Sequence, residues 1–202
     1  MLAERRVDLH LHTCLSPCAD AAMIPPVIVA RAREHGLGVI GVCDHNSGEN
    51  ARSVREAAGG DPAVLCGMEV TTREEVHLLA LFGDPDALDS LQELVYRHLE
   101  GRNRPDLFGE QYRVDPDGHV LGINSRLLIG ASDLSIDRVV REVHRLGGLA
   151  VACHLDRPSF SVISQLGTIP PGAAFDALEI TGPDPDDRLL RQWLGLAPPG
   201  PG

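Results

Sequence analysis

The sequence predicts an α/β fold, and three observations carry that prediction. Short runs rich in Val, Leu and Ile alternate along the chain with amphipathic helical patterns. Several of those runs end on a histidine or a carboxylate, as strands do when a site is built on one rim of a sheet or barrel. A length of 202 residues suits one domain with a sizeable core. Crossovers between such strands are right-handed and give either an open sheet or a barrel.

Strands are expected over residues 5–10, 38–43, 63–70, 76–82, 149–153 and 177–180, each short and apolar as buried strands tend to be. Helices are expected over 25–35, 49–58, 85–99 and 135–146. Pro25 and Pro26 suit the opening of the first helix and Gly36 its stop; Gly147 and Gly148 close the last. The segment 101–126 breaks this rhythm as an insert. Its Asp115-Pro116-Asp117-Gly118 run reads as a turn, with a small hairpin around it. Residues 197–202, APPGPG, are expected to form a disordered tail, which leaves 1–196 as a single domain.

Composition narrows the function. Hydrophobic residues make up 43% and charged residues 23%, an ordinary globular mixture. Aromatics are only 3%, so the core rests on Leu, Val, Ile and Ala. A formal charge of −11 opposes broad attraction to nucleic acid or anionic membrane, although bound divalent metals reverse the sign locally. No apolar run reaches membrane-spanning length and no secretion signal precedes the first strand, so a cytoplasmic location is expected. Five cysteines spread along the chain suggest free thiols rather than a disulfide framework. Cys43 and Cys153 lie inside apolar runs and read as packing residues. Cys14 and Cys18, four apart in one loop, leave packing, metal and redox roles open.

The polar outliers carry the chemistry. In DLHLHT, His10 and His12 alternate, so on a strand both imidazoles face one side and can converge on one metal ion. His45 ends GVIGVCDH, Glu69 ends AVLCGME, and His154 ends LAVACH. His77 opens HLLALF and must therefore sit on a strand running the other way or in the loop leading to it. Glu179 lies inside ALEIT. A single buried histidine is usually satisfied by core partners. Five histidines and a glutamate at strand ends are harder to bury without a cation among them. Imidazole with carboxylate suits Zn, Mn or Fe better than Ca or Mg. His35, His98 and His144 fall in helical patterns and His119 at the inserted turn, so these read as solvent-facing or capping.

In order, DLHLHT, CDHN, GMEVTT, VHLLALF, ACHLDRP and ALEIT resemble the PHP (polymerase and histidinol phosphatase) superfamily over residues 7–181. More narrowly, HTCLSPCAD, DHNS, TREEVHLLALF, NRPDLFG and HLDRPSFSVISQLG resemble a bacterial subgroup of stand-alone PHP proteins. The resemblance implies a distorted (β/α)7 TIM-like barrel, two or three Zn, Mn or Fe ions, and phosphoester hydrolysis by a metal-activated water. It carries His10, His12, His45, Glu69, His77 and His154 over as metal ligands, with Glu69 as a bridging carboxylate at the reacting centre. The family's loop aspartate has Asp20 as its nearest counterpart, displaced by a few positions. The family's terminal Ser-Asp-x-His-like motif has no counterpart. Asp184, Asp186 and Asp187 follow Glu179 but read as an acidic helix start. The barrel is thus expected to be incomplete at its C-terminal end and the metal cluster short of ligands.

Arg157, three residues past His154, is a candidate to bind a substrate phosphate, or else to pair with a rim carboxylate. Asp8, Asp44 and Asp156, each near a candidate ligand, are candidates to orient imidazoles. The expected activity is hydrolysis of a small phosphate ester, a nucleotide or metabolite phosphate, with nucleic acid only as a short oligonucleotide and no membrane partner. The alternative is a degenerate metal-binding or regulatory module with little catalysis. A metal-dependent amidohydrolase fits less well, because that group usually places a carboxylated lysine at its metals and this chain has no lysine.

Overall fold

A computed structural model describes residues 4–182 and 187–195. The apolar runs form six strands of one sheet: β1 (Arg6–Leu11), β2 (Leu37–His45), β3 (Ala63–Thr71), β4 (His77–Phe82), β7 (Leu149–Ala152) and β8 (Ala177–Leu178). Their order is β1-β2-β3-β4-β7-β8. The helices are α1 (Pro25–Glu34), α2 (Ala51–Ala58), α3 (Pro85–His98), α4 (Pro105–Phe108), α5 (Ile136–Arg145), α6 (Val162–Leu166) and α7 (Asp187–Trp193). The insert holds the expected hairpin, β5 (Tyr112–Val114) and β6 (Val120–Ile123), turned at Gly118 with φ +87°.

Local chemistry sets the ends of these elements. Asp84 caps α3 by accepting from Asp86 N–H, and Ser135 caps α5 by accepting from Arg138 N–H. Pro25 opens α1. β2 and β3 outrun their expected ends to His45 and Thr71, whereas β8 pairs over only two residues.

β1, β2 and β3 are parallel, and β7 pairs parallel with β8. β4 runs against both β3 and β7. Residues 72–76 join β3 to β4 too tightly for a crossover helix, and only antiparallel strands accept so short a link. His77 therefore enters β4 beside the end of β3, with Thr71 and His77 in register.

The sheet curls without closing: among the described residues no ladder joins β8 back to β1. The fold is an incomplete TIM-like barrel, a curled half-barrel with helices outside. Its outer face buries Ile40, Val42, Met68, Leu78, Ala80 and Ala152 against helical residues such as Val54, Leu91 and Val139. The inner face carries a smaller apolar floor of Leu9, Cys43, Leu65, Leu79, Leu81, Val151 and Cys153. Two glycines make this curl possible. A Cβ on Gly41 would lie 2.4 Å from the Leu9 carbonyl oxygen, and one on Gly67 2.6 Å from that of Ala80.

No described helix is long and apolar enough to cross a membrane. The expected tail at 197–202, and Asp184 and Asp186, lie outside the described residues, as does the side chain of Asp187.

Candidate metal centre

The polar end of the inner face is a cavity of about 280 Å³, lined by His10, His12, Cys18, His45, Glu69, His77, His154, Arg157, Ser159, Phe160 and Glu179. Strand periodicity explains much of this. Cys43 and His45 share a face of β2, Leu65 and Glu69 a face of β3, and His77 and Leu79 a face of β4. β1 breaks the alternation by a register shift between Asp8 and Leu11. That shift lets Leu9 join the floor while both His10 and His12 face the cavity. His154 leaves β7 at a strained φ of +32°.

Glu69 is the centre of the arrangement. It is 2% exposed, and its two oxygens divide the five imidazoles between them. Oε1 meets His77 Nδ1 at 2.8 Å, His10 Nε2 at 3.4 Å and His154 Nε2 at 3.4 Å. Oε2 meets His45 Nδ1 at 3.1 Å and His12 Nε2 at 3.4 Å. Burial pushes the Glu69 carboxyl up, but hydrogen bonds from His10, His12, His154 and His77 hold it well below the usual range.

Two of the imidazoles are held from behind. His10 Nδ1 lies 3.0 and 3.1 Å from the two oxygens of Glu179. His12 Nδ1 lies 2.9 Å from the Ser16 hydroxyl. That hydroxyl donates its proton to Asp44 Oδ1 at 2.7 Å, so His12 Nδ1 must be the donor to Ser16. In both rings Nδ1 is held by an acceptor behind it, and Nε2, the atom facing Glu69, is the position at which a metal would replace a proton.

The same contacts show what the cavity lacks. Burial pushes His10 down, but Glu179 and Glu69 lift it to about 9. Burial likewise pushes His12 down, but the Cys18 thiol, Glu69 and Asp44 lift it to about 10. Burial drives His45 down to about 3 despite the pull of Glu69. Protons alone thus place charge on two neighbouring rings whose centroids are 5.2 Å apart. Two buried nitrogens, His45 Nδ1 and His154 Nδ1, have no hydrogen-bond partner; His45 Nδ1 is near Glu69 but misaligned for one. Neutral nitrogens and a carboxylate gathered this closely fit divalent cations better than protons.

The structure gathers six of the seven residues read from the sequence as metal ligands: His10, His12, His45, Glu69, His77 and His154. Asp20 is not among them. It is exposed, is not among the residues lining the cavity, and its Oδ1 accepts from Ala22 N–H at 2.8 Å in a local turn. Arg157 lines the rim, and its guanidinium forms no ion pair among the described residues. Of the expected orienting aspartates, only Asp44 reaches an imidazole, through Ser16. Asp8 accepts from the backbone N–H of His10, and Asp156 clamps Thr181 and Gly182. Cys14 is buried, with Sγ toward the Tyr112 carbonyl. His119 and His144 pair with Asp115 and Asp176 at the surface.

Three contributors, one of them the polar outlier Glu179, have no role assigned by the sequence alone. Glu179 forks His10 and accepts from His154 N–H, and its signal was a carboxylate in an otherwise apolar ALEIT strand. Ser16 follows His12 by four residues, as a side chain reaching back to it must. Phe160 stacks on His77 with centroids 4.7 Å apart.

Fold and site together define an α/β half-barrel that carries a five-histidine, one-glutamate cluster on its rim. The chain belongs to the PHP domain family, whose model matches residues 8–148. Among solved structures it is similar to an assigned metal-dependent phosphoesterase from Bifidobacterium adolescentis. The identity is 19% and the TM-score 0.58, over 88% of this chain and 77% of that one. It is also similar to the lesion-specific endonuclease Q from Pyrococcus furiosus, at 17% identity and TM-score 0.66, over 92% of this chain and 44% of that one. An endonuclease Q bound to a 27-mer duplex with an abasic lesion matches at 17% identity and TM-score 0.61, over 87% and 42%. At these identities the likeness shows the fold. The chain spans less than half the length of the endonucleases. No curated protein matches the sequence.

Proposed function

We propose that this protein is a metal-dependent phosphoesterase that hydrolyses a small phosphate ester. His10, His12, His45, Glu69, His77 and His154 hold two or three Zn, Mn or Fe ions in this reading. The observation that carries it is the division of five imidazoles between the two oxygens of one buried carboxylate. With imidazoles gathered at each of its oxygens, Glu69 would serve as a ligand together with either group of histidines. When bound, the metals lower the pKa of water toward neutrality and neutralise charge on the phosphoryl oxygens.

The chain's own groups supply the rest. Glu179 and the Asp44–Ser16 pair fix the tautomers of His10 and His12. Arg157, uncommitted at the rim, holds the substrate phosphate with its planar fork. A cavity of about 280 Å³ in a chain of charge −11 supports a nucleotide or metabolite phosphate over a long polyanion.

The test is phosphate release from a panel of monoesters, and strand cleavage of short oligonucleotides and duplex DNA, by protein loaded with Mn, Zn or Fe. Release from a monoester, lost in His10→Ala and Glu69→Ala, supports the reading. Cleavage of duplex DNA alone keeps the phosphoesterase but overturns the small substrate. Full metal occupancy with no release from any ester overturns the enzyme and leaves a metal-binding module.

A further inference from the structure

The two oxygens of Glu69 do not face equal sets of donors. Oε1 meets three imidazoles, those of His10, His77 and His154. Oε2 meets only two, His12 and His45. With the carboxylate counted, the first side offers four donors, the usual number for a tetrahedral ion, and the second offers three. Cys18 stands on that poorer side. One ligand atom from each of His12, Cys18 and His45 can be chosen so that all lie within 4.8 Å of one another.

Three further observations point the thiol at an ion. His45 is 5% exposed and its Nδ1 has no hydrogen-bond partner, so this side of the cavity already holds a buried donor without an acceptor. His12 is locked by Ser16 with Nε2 toward the cavity, the atom a metal takes. Cys18 itself is exposed, whereas Cys14, Cys43, Cys66 and Cys153 are buried. Cys14 turns its sulfur toward the Tyr112 carbonyl and Asn50, so it offers Cys18 no partner for a disulfide.

We propose that Cys18 is a thiolate ligand, completing a two-histidine, one-cysteine, one-carboxylate set on the Oε2 side of the centre. On coordination the S–H bond gives its proton to solvent and the sulfur lone pair binds the metal. A soft sulfur donor biases this position toward Zn or Fe and away from Mn. The exposed thiolate also makes this position the one an electrophile or oxidant reaches first. The proposal rests on the metal-centre reading above, and the experiment separates the two.

The full-length protein is loaded with Co(II), and its visible ligand-field bands and near-ultraviolet sulfur-to-cobalt charge-transfer band are recorded. The expected result is both signals in the native chain, with the charge-transfer band lost and ligand-field bands kept in Cys18→Ser. In parallel, Zn is expected to protect one thiol of the folded protein from alkylation, and that thiol is absent in Cys18→Ser. Ligand-field bands without a charge-transfer band, together with equal alkylation with and without Zn, overturn the thiolate ligand and leave the metal centre standing. No cobalt spectrum of either kind overturns both. Because Cys18 is exposed, its replacement leaves the core untouched, and unfolding midpoints of the two metal-free proteins are expected to coincide.

Discussion

The two sides of the half-barrel build the same site by different means. β2 and β3 are nine residues each and pair in seven successive registers, from Val39 with Ala63 to His45 with Glu69. His45 and Glu69 are thus placed by a continuous backbone ladder, and both are buried. On the other side β8 pairs with β7 only at Ala177 and Leu178. Glu179 follows just beyond, its side chain 26% exposed, and depends on side-chain clamps nearby. Asp176 accepts from Ala150 N–H, Asp156 holds Thr181 and Gly182, and Glu179 itself accepts from His154 N–H. His45 and Glu69 sit on the long ladders, and Glu179, which holds His10 from behind, sits just past the short one. Regions with few backbone pairs and few buried contacts open first, so the open side sets how easily the centre is entered and rebuilt.

The sharpest break in this contrast comes from replacing the two carboxylates in turn. Glu69→Gln removes the charge that both halves of the histidine cluster share. It is expected to abolish stoichiometric metal binding and phosphate release together. Glu179→Gln keeps the shape and one acceptor oxygen toward His10, and so weakens a partner of a ligand rather than a ligand. Outer partners of this kind are worth about 10–100-fold in metal affinity. Metal titration with a competing chelator checks both. An equal loss in the two variants would erase the distinction between ladder and clamp.

The second break concerns stability. Leu78 on β4 is fully buried between the sheet and its helices, whereas Leu178 on β8 is 38% exposed. Leu78→Ala is expected to cost about 2–5 kcal/mol in urea unfolding, the range for a cavity in a packed core. Leu178→Ala is expected to stay within about 0.5 kcal/mol, as surface changes do. A large loss at Leu178 would mean that the open side is packed against something further.

The same asymmetry governed what could be read from the sequence. β2 and β3 were legible because they are long apolar runs that end on His45 and Glu69, so both the strand and its polar terminus announced themselves. β4 was legible as a strand and its reversed direction as one of two options, because His77 opens rather than ends its run. The open side was not legible in the same way. ALEIT looks like a four-residue strand, but two residues pair and Glu179 serves as a clamp, a fact fixed by the distance to β1 rather than by local pattern. Asp20 is only the nearest counterpart, displaced by a few positions, of the loop aspartate that the family resemblance implies. The turn after Ser16 instead brings Cys18 to the cavity and leaves Asp20 capping the next turn in solvent. Helical periods and strand alternation cannot report a loop's facing, nor the shift in β1 that puts Leu9 on the same face as His10.

The smallest effect is also the most specific to the open side. Asp176 stands just before β8, 2.7 Å from Ala150 N–H on β7 and 2.9 Å from His144 Nε2 on α5. The Ala150 N–H, opposed by partial burial and helped by His144, holds its carboxyl below the usual 3.8. A carboxyl with a depressed folded pKa adds stability that is present above its unfolded value and lost as pH falls through the folded one. The pair is about one-third exposed, so solvent screening keeps the contribution below about 1 kcal/mol. Asp176→Asn retains an acceptor for Ala150 but cannot titrate. Its stability loss relative to the native chain is expected at pH 6 and to shrink as pH falls below 3.8 toward the folded value, as read by urea unfolding at each pH. Because Glu179 directly follows β8, the same titration should loosen the aim of His10 in acid before the long ladders of β2 and β3 respond. Amide exchange at Leu178 that accelerates ahead of exchange at Val42 on lowering the pH would show this order. Simultaneous acceleration would mean that the two sides unfold as one unit and that the short ladder is no weaker than the long ones.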